Sequence, residues 1–459
     1  MKSEAKQFFA AQAWVAGAWA QDVLLDVAAD GSWSQITPNA SEQQRAAATR
    51  LNGAVLPGVV NAHSHAFQRA IAGLTERRGS GSQAADDFWS WRDRMYAAAN
   101  CITPDQLETI ARQLYSELLA GGYTQVCEFH YLHNALSGGP YAHPAEMSMA
   151  VVRAAQHTGI GLTLLPTLYM RSGFGSNGLR EDQRRFASTP QSIVRIVEDL
   201  QRQIAGDPRI HVGVAIHSLR AVSPPALKEL AAYAQQAGLP VHIHIAEQTQ
   251  EVDDCLVHTG QRPIEWLLSH VDVNARWNLV HATHTTRDER VGIQARGASV
   301  VICPATEANL GDGVFDLPGY AAVKGAWSIG SDSHVTRRWS EELRLLEYAQ
   351  RLTHRKRNMA AQCLRNISSA AALLEAALGG GSTASGQALA GIAVGQRADF
   401  VVLDTQSPAL LGVPADLLLD ALVFSSPDAR FSAVHAAGQA VVPHDDEGFA
   451  PVMRALWGG

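Results

Sequence analysis

Apolar residues in this chain gather in short runs rich in β-branched and small side chains, separated by stretches with helical periodicity. In chain order the runs are GAVLPGVVNAH leading to His65, TQVCEFH ending at His130, GLTLLPTLY ending at Tyr169, and HVGVAIHS ending at Ser218. Then come PVHIHIAE ending at Glu247, NLVHATH starting at Asn278, ASVVICP ending at Pro304, and WSIGSDSH ending at His334. Strands buried on both faces look like this, with little polar alternation. The stretches between them are amphipathic, as in DQLETIARQLYSELLAGG and SPPALKELAAYAQQAGL. The second opens on Ser-Pro and closes near Gly, as helix ends prefer. Eight such units predict an α/β fold of the (β/α)8, TIM-barrel type over residues 56–388. A doubly wound open sheet is the alternative, but no GxGxxG follows the first run.

The two ends of the chain break this rhythm. Residues 1–55 and 389–444 read as short strands and turns, for instance GIAVGQRADFVVLD and FSAVHAAGQAVV. They predict one small β-sandwich domain assembled from both ends. The stretch GGGSTASG at Gly379–Gly386 reads as its boundary with the barrel, and residues 445–459 as a peripheral tail or short helix. The opening MKSEAKQFFAAQAWVAGAWAQ has the early lysines and apolar run of a signal peptide. However, Glu4 and Gln12 interrupt it, and DVLLDVAADGSWSQI continues as strand, turn and strand. The segment therefore reads as part of the folded domain, and no run is long enough to span a bilayer.

Composition narrows the partners. The 37 basic and 44 acidic residues leave a net charge of −7, with no basic run able to track phosphates, so nucleic acid is not expected. HRKRN at His354–Asn358 reads as one solvated helix face. The five cysteines are scattered and never form CxxC, which argues against disulfides or a thiolate zinc site and fits a reducing compartment such as the cytoplasm.

The chemistry lies at the C-terminal ends of the runs, the face that carries active sites in such barrels. His63, His65, Glu128, His130, His217, His244, Glu247, His281 and Asp332 all fall there. Side chains at i and i+2 of a strand point the same way, so His63 and His65 can reach one ion. With His244 and Asp332 they make a nitrogen and oxygen set suited to Zn2+ or a similar divalent metal. His242 lies deeper on the same strand and reads as core or support. A metal here would lower the pKa of a bound water and hold the hydroxide against an electrophilic carbon. Glu247 is placed to carry the proton to a leaving nitrogen, and His281 to orient the hydroxide or stabilise developing charge. No strand ends in a lysine that could bridge two metals, which favours a single ion, though Glu128 could substitute as a bridge.

The HxH pair, the histidines of the fifth and sixth strands and the aspartate of the eighth resemble the amidohydrolase superfamily over nearly the whole chain. The HxxE of His244–Glu247 resembles its mononuclear deaminase branch. The resemblance implies zinc at His63, His65, His244 and Asp332, with Glu247 and His281 as the proton-handling pair and Asp332 also acting in catalysis. The loops HSHAFQRA, FWSWR, EFHYLH, AIHSLRAVSP, HIHIAEQ, LVHATH, TEANLGDG and GSDSH resemble members that deiminate N-formimino-L-glutamate to N-formyl-L-glutamate and ammonia in histidine degradation. That small-molecule substrate carries two carboxylates. Arg92 and Arg220 are the expected clamps, because guanidinium pairs with carboxylate in a two-pronged way, and Gln68, Tyr131 and His217 would add hydrogen bonds. Glu307 and Asn309 read equally as pocket lining or loop support and receive no role. The long segment from Ala66 to Thr103 is expected to cover the substrate and bring Arg92 in. A homodimer is implied by the resemblance alone. The rivals are a deaminase of a purine, pterin or triazine ring, which the two arginines disfavour, and a barrel that binds a metabolite without turnover.

Overall fold

The computed structural model describes residues 5–77 and 87–458. The chain opens with four strands, β1 (Lys6–Val15), β2 (Ala18–Val27), β3 (Trp33–Thr37) and β4 (Thr49–Pro57). The barrel strands follow: β5 (Val59–Ser64), β6 (Tyr123–His130), β7 (Gly161–Leu168), β8 (Ile210–Val212), β9 (Val214–Ile216), β10 (Val241–Ile245), β11 (Trp277–His281), β12 (Ser299–Ile302) and β13 (Ala326–Ile329). Three more strands, β14 (Phe400–Leu403), β15 (Phe431–Ala436) and β16 (Gln439–Val441), return to the first four.

β5 to β13 pair in parallel in chain order. β8 and β9 are one strand interrupted at Gly213, since both pair with β7, so there are eight strand positions, as the apolar runs predict. The barrel closes at its working end, where Ser64 bridges Asp332, the Asp332 amide donates to His63 O at 3.0 Å, and the His65 amide donates to Asp332 O at 3.3 Å. Every residue of β5, β6, β7, β10, β11 and β12 is buried, as a parallel sheet covered by helices requires. The two helices read from periodicity are present at Pro104–Ala120 and Pro224–Ala237. The first is started by a Thr103 capping box with Pro104 at its head, and the second ends at Gly238 in the left-handed conformation.

The strands from the chain ends form one sheet in the order β16-β15-β14-β4-β1-β2-β3. β3 and β14 lie four places apart in it, yet the Trp33 and Phe400 rings are 5.5 Å apart and the Trp33 amide donates to Gln396 O at 2.8 Å. The sheet therefore curls over its own core of Phe8, Val23, Leu25, Trp33, Phe400 and Val402. Within the opening segment, with its signal-like composition, Lys6–Val15 is an interior strand of this sheet, between β4 and β2.

One expectation changes. GGGSTASG, read as the boundary between the domains, is helical up to Ser385 as the end of the helix Ser369–Ser385, which packs against β13 and β5. A Cβ at Gly380 would sit 1.9 Å from Trp327 O, so the glycines let this helix lie directly on the strand backbone. The break comes only at Gly386, at φ +66°. Residues 449–457 form a helix at the end of the chain, against Pro104–Ala120, and Trp457 Nε1 donates to Ala70 O at 2.8 Å.

Candidate active site

The HxH spacing does what strand geometry requires. His63 and His65 project to the same side of β5, and the ends of β10 and β13 add His244 and Asp332. His63 Nε2 and His244 Nε2 stand 3.0 Å apart, and Asp332 Oδ1 is 3.5 Å from His63 Nε2 and 3.4 Å from His65 Nε2. His65 Nδ1 bonds Phe129 O at 2.8 Å and His244 Nδ1 bonds His217 O at 3.0 Å. A ring that donates from Nδ1 presents a lone pair at Nε2, which is the ligating tautomer. Burial pushes His63 down to about 3, and pushes His65 and His244 down as well, so all three rings are neutral. Burial works against the charge of Asp332, but His63, His65 and His281 outweigh it and hold the carboxylate ionised. Convergent lone pairs beside a carboxylate repel one another unless a cation lies between them. The residues present therefore fit a divalent metal.

The backbone is bent to make this possible. Asp332 and His281 hold φ of +47° and +68°, and Ala246, just before Glu247, holds +52°. Non-glycine residues rarely adopt such angles, and those that do are held in place by the structure around them. Gly330 is required for a different reason. A Cβ there would lie 2.6 Å from His63 Cβ and 2.8 Å from His63 N, so only glycine lets β13 close against β5.

Glu247 lies beyond the metal donors, with Oε1 3.6 Å from His281 Nε2. Burial raises its carboxyl above the usual range, against the pull of His281 and Arg220. Burial opposes the cation on His281, but Glu247, Glu307 and Asp332 together lift it to about 10. Glu307 accepts from His281 Nδ1 at 3.3 Å and from the Cys303 amide at 2.9 Å, so it fixes this ring. His334 is also part of the frame: its Nε2 bonds His65 O and its Nδ1 bonds Ser331 Oγ, both at 3.0 Å, while Asn61 ties down Ser331. Sequence reasoning assigned no role to Glu307, His334 or Asn61.

Glu128, the alternative bridge, is held by hydrogen bonds of its own. It accepts from Ser64 Oγ at 2.7 Å and the Ala66 amide at 2.5 Å, and among the described residues it joins no metal-binding group. His242 Nε2 bonds Ala384 O at 2.9 Å, a supporting place as expected.

Next to the metal donors opens a pocket lined by Gln68, Arg92, Tyr131, His217, Arg220 and Glu247, with Phe88, Trp91 and Tyr96 as its apolar wall. All five residues expected to bind substrate are therefore brought together. Arg92 stands on the helix Phe88–Ala99, over the Trp89 ring at 4.4 Å and the Tyr96 ring at 5.4 Å. Arg220 lies 5.4 Å from the Phe88 ring and 5.5 Å from Trp89. Arg171 braces its loop by donating to Arg220 O and Leu219 O. Among the described residues neither Arg92 nor Arg220 has a carboxylate partner. Arg92 Nε and Arg220 Nη1 are buried without a hydrogen bond. Gln68 Nε2 donates to the Tyr131 hydroxyl at 3.1 Å, leaving Gln68 Oε1 buried and unsatisfied. The expected covering segment contributes Arg92 through its helix, and its residues 78–86 lie outside the described residues.

Comparison with known proteins places this architecture. The model of the amidohydrolase family matches residues 54–441. The chain belongs to the amidohydrolase family. It is 45% identical over 434 residues to a formimidoylglutamate deiminase of Pseudomonas aeruginosa, covering 95% of this chain and 94% of that one. It is 27% identical over 398 residues to a 5-methylthioadenosine/S-adenosylhomocysteine deaminase of Nitratidesulfovibrio vulgaris, covering 85% and 81%. The crystal structure of an amidohydrolase from Brucella melitensis is 40% identical and superposes with a TM-score of 0.89 over 98% of both chains. The family and the cluster of buried histidines and Asp332 at the barrel mouth support a metal ion there.

Proposed function

We propose that this amidohydrolase is a metal-dependent deiminase, hydrolysing N-formimino-L-glutamate to N-formyl-L-glutamate and ammonia in histidine degradation. The observation that carries the reading is a pair of guanidinium groups, Arg220 buried and Arg92 half-buried, neither in an ion pair with a protein carboxylate among the described residues, lining the same pocket as the metal donors and Glu247. A substrate with two carboxylates satisfies both, and a neutral ring satisfies neither. The likeness to the Pseudomonas deiminase supports the same substrate.

His63, His65, His244 and Asp332 would hold one divalent ion, which we take to be Zn2+. When bound, it supplies the Lewis acidity that makes water a nucleophile near neutral pH. Glu247 takes a proton as the water oxygen bonds to the formimino carbon and delivers it to the terminal nitrogen. It then carries the remaining hydroxyl proton to that nitrogen as the carbonyl forms and the carbon–nitrogen bond breaks, releasing ammonia. His281, steadied by Glu307, faces both Glu247 and Asp332 and balances charge as it moves between them. Arg92 and Arg220 fix the carboxylates. Gln68 Oε1 offers an acceptor to a substrate N–H, and Tyr131 and His217 complete the hydrogen bonding. Five free cysteines, three of them buried, agree with a cytoplasmic location. The homodimer is checked by light scattering.

Purified protein should release ammonia from N-formimino-L-glutamate, stop when chelated, and resume on zinc addition. Release only from adenine-type rings would overturn the substrate assignment. Arg92→Met and Arg220→Met should each cost about 2 kcal/mol or more of transition-state binding, a loss of about 30-fold or more in kcat/KM. Near-normal kcat/KM in both variants would remove the dicarboxylate argument.

A further inference from the structure

TEANLGDG contains an acidic residue that the reaction as described does not use. Asp312 follows the helix Pro304–Leu310 and is only 4% exposed. Its amide donates to Glu307 O at 3.0 Å, and Gln248, the residue after Glu247, donates its side-chain amide to Asp312 Oδ1. Asp312 Oδ2 is buried and accepts from no donor among the described residues. One donor atom from each of Asp312, Glu247 and His281 falls within a span of 4.8 Å. Asp312 does not line the pocket, so it acts behind Glu247 and not on the substrate.

Two buried carboxyl groups this close disfavour double ionisation, and a shared proton relieves the repulsion. Because Oδ1 already accepts from Gln248, Oδ2 is the oxygen left to carry a hydrogen, and a buried O–H needs an acceptor. Burial first, then Glu247, Glu307 and Asp332, raise the Asp312 carboxyl, and His281 opposes them.

We propose that Asp312 is a positioning residue: held by Gln248 as a neutral acid, it donates a hydrogen bond to Glu247 and fixes the carboxylate that moves the catalytic proton. The proposal rests on the deiminase reading for its kinetic test, but not for its spectroscopic one.

Asp312→Asn keeps an acceptor for Gln248 and an N–H donor toward Glu247, so its kcat should stay within about threefold of wild type. Asp312→Ala removes the donor and should lower kcat about 100-fold, the cost of a reacting group misplaced by about 1 Å, with KM and metal content unchanged. Infrared difference spectra of the substrate-free proteins should show a protonated carboxyl band in wild type that Asp312→Asn lacks. Equal loss in both variants would overturn the proposal in favour of a charged Asp312. So would wild-type kcat in Asp312→Ala, a change confined to KM, or absence of the band. If wild type released no ammonia from N-formimino-L-glutamate, the substrate reading would fall and the infrared result would still decide the state of Asp312.

Discussion

His244→Ala protein should fold, lose its metal on dialysis, and release ammonia no faster than background. His244 Nε2 lies 3.0 Å from His63 Nε2, so the two rings define one side of the site, and the remaining His63, His65 and Asp332 leave an ion open to solvent. Loss of one imidazole also removes lone-pair repulsion from the metal-free protein, so the fold should not suffer from the missing ion. His244 is held at Nδ1 by His217 O, which also accepts from the His244 amide at 3.2 Å, so truncation removes one of two donors to that carbonyl and leaves the backbone bond in place. Metal analysis of dialysed protein gives the answer: full metal occupancy with normal turnover would remove His244 from the ligand set.

Glu247→Gln should behave in the opposite way, keeping its metal while turning over about 10²- to 10⁴-fold more slowly, the range spanned by positioned proton transfer. Glutamine preserves the shape and the approach to His281 but cannot carry a proton. The pH profile adds a second signature. The carboxylate must be ionised to accept the proton of water, and burial raises its pKa. Wild-type kcat should therefore fall as the pH drops through that raised value, where Glu247 becomes protonated. Glu247→Gln should lack this limb. A variant with near-normal rate would place the proton elsewhere.

The barrel and most of its site are legible in the sequence because both follow from local rules. Side chains two apart on a strand share a face, and strand ends meet at the mouth, so His63, His65, His244, Glu247, His281 and Asp332 can be found from spacing. What the sequence hides depends on contacts between distant parts of the chain. Glu307 reaches His281 from 26 residues away, and His334 reaches the His65 carbonyl across 269. The left-handed backbone at Asp332 and His281 has no local signature, since neither is glycine. GGGSTASG reads as a break because glycine lowers helix propensity, but tight packing on β13 overrides that preference. Asp312 looks like a turn residue and is instead buried behind the site.

The charge arrangement of the pocket bears on how the enzyme finishes its cycle. Under the deiminase reading its guanidinium groups meet the carboxylates of the ligand, while Glu247 lines the same pocket beside the metal donors. An amidine is a cation at neutral pH, so the substrate matches both ends. Hydrolysis turns that cation into a neutral amide. Under that reading the reaction removes the positive charge that the substrate brought to Glu247, while the grip on its carboxylates is unchanged, so release is favoured by the chemistry itself.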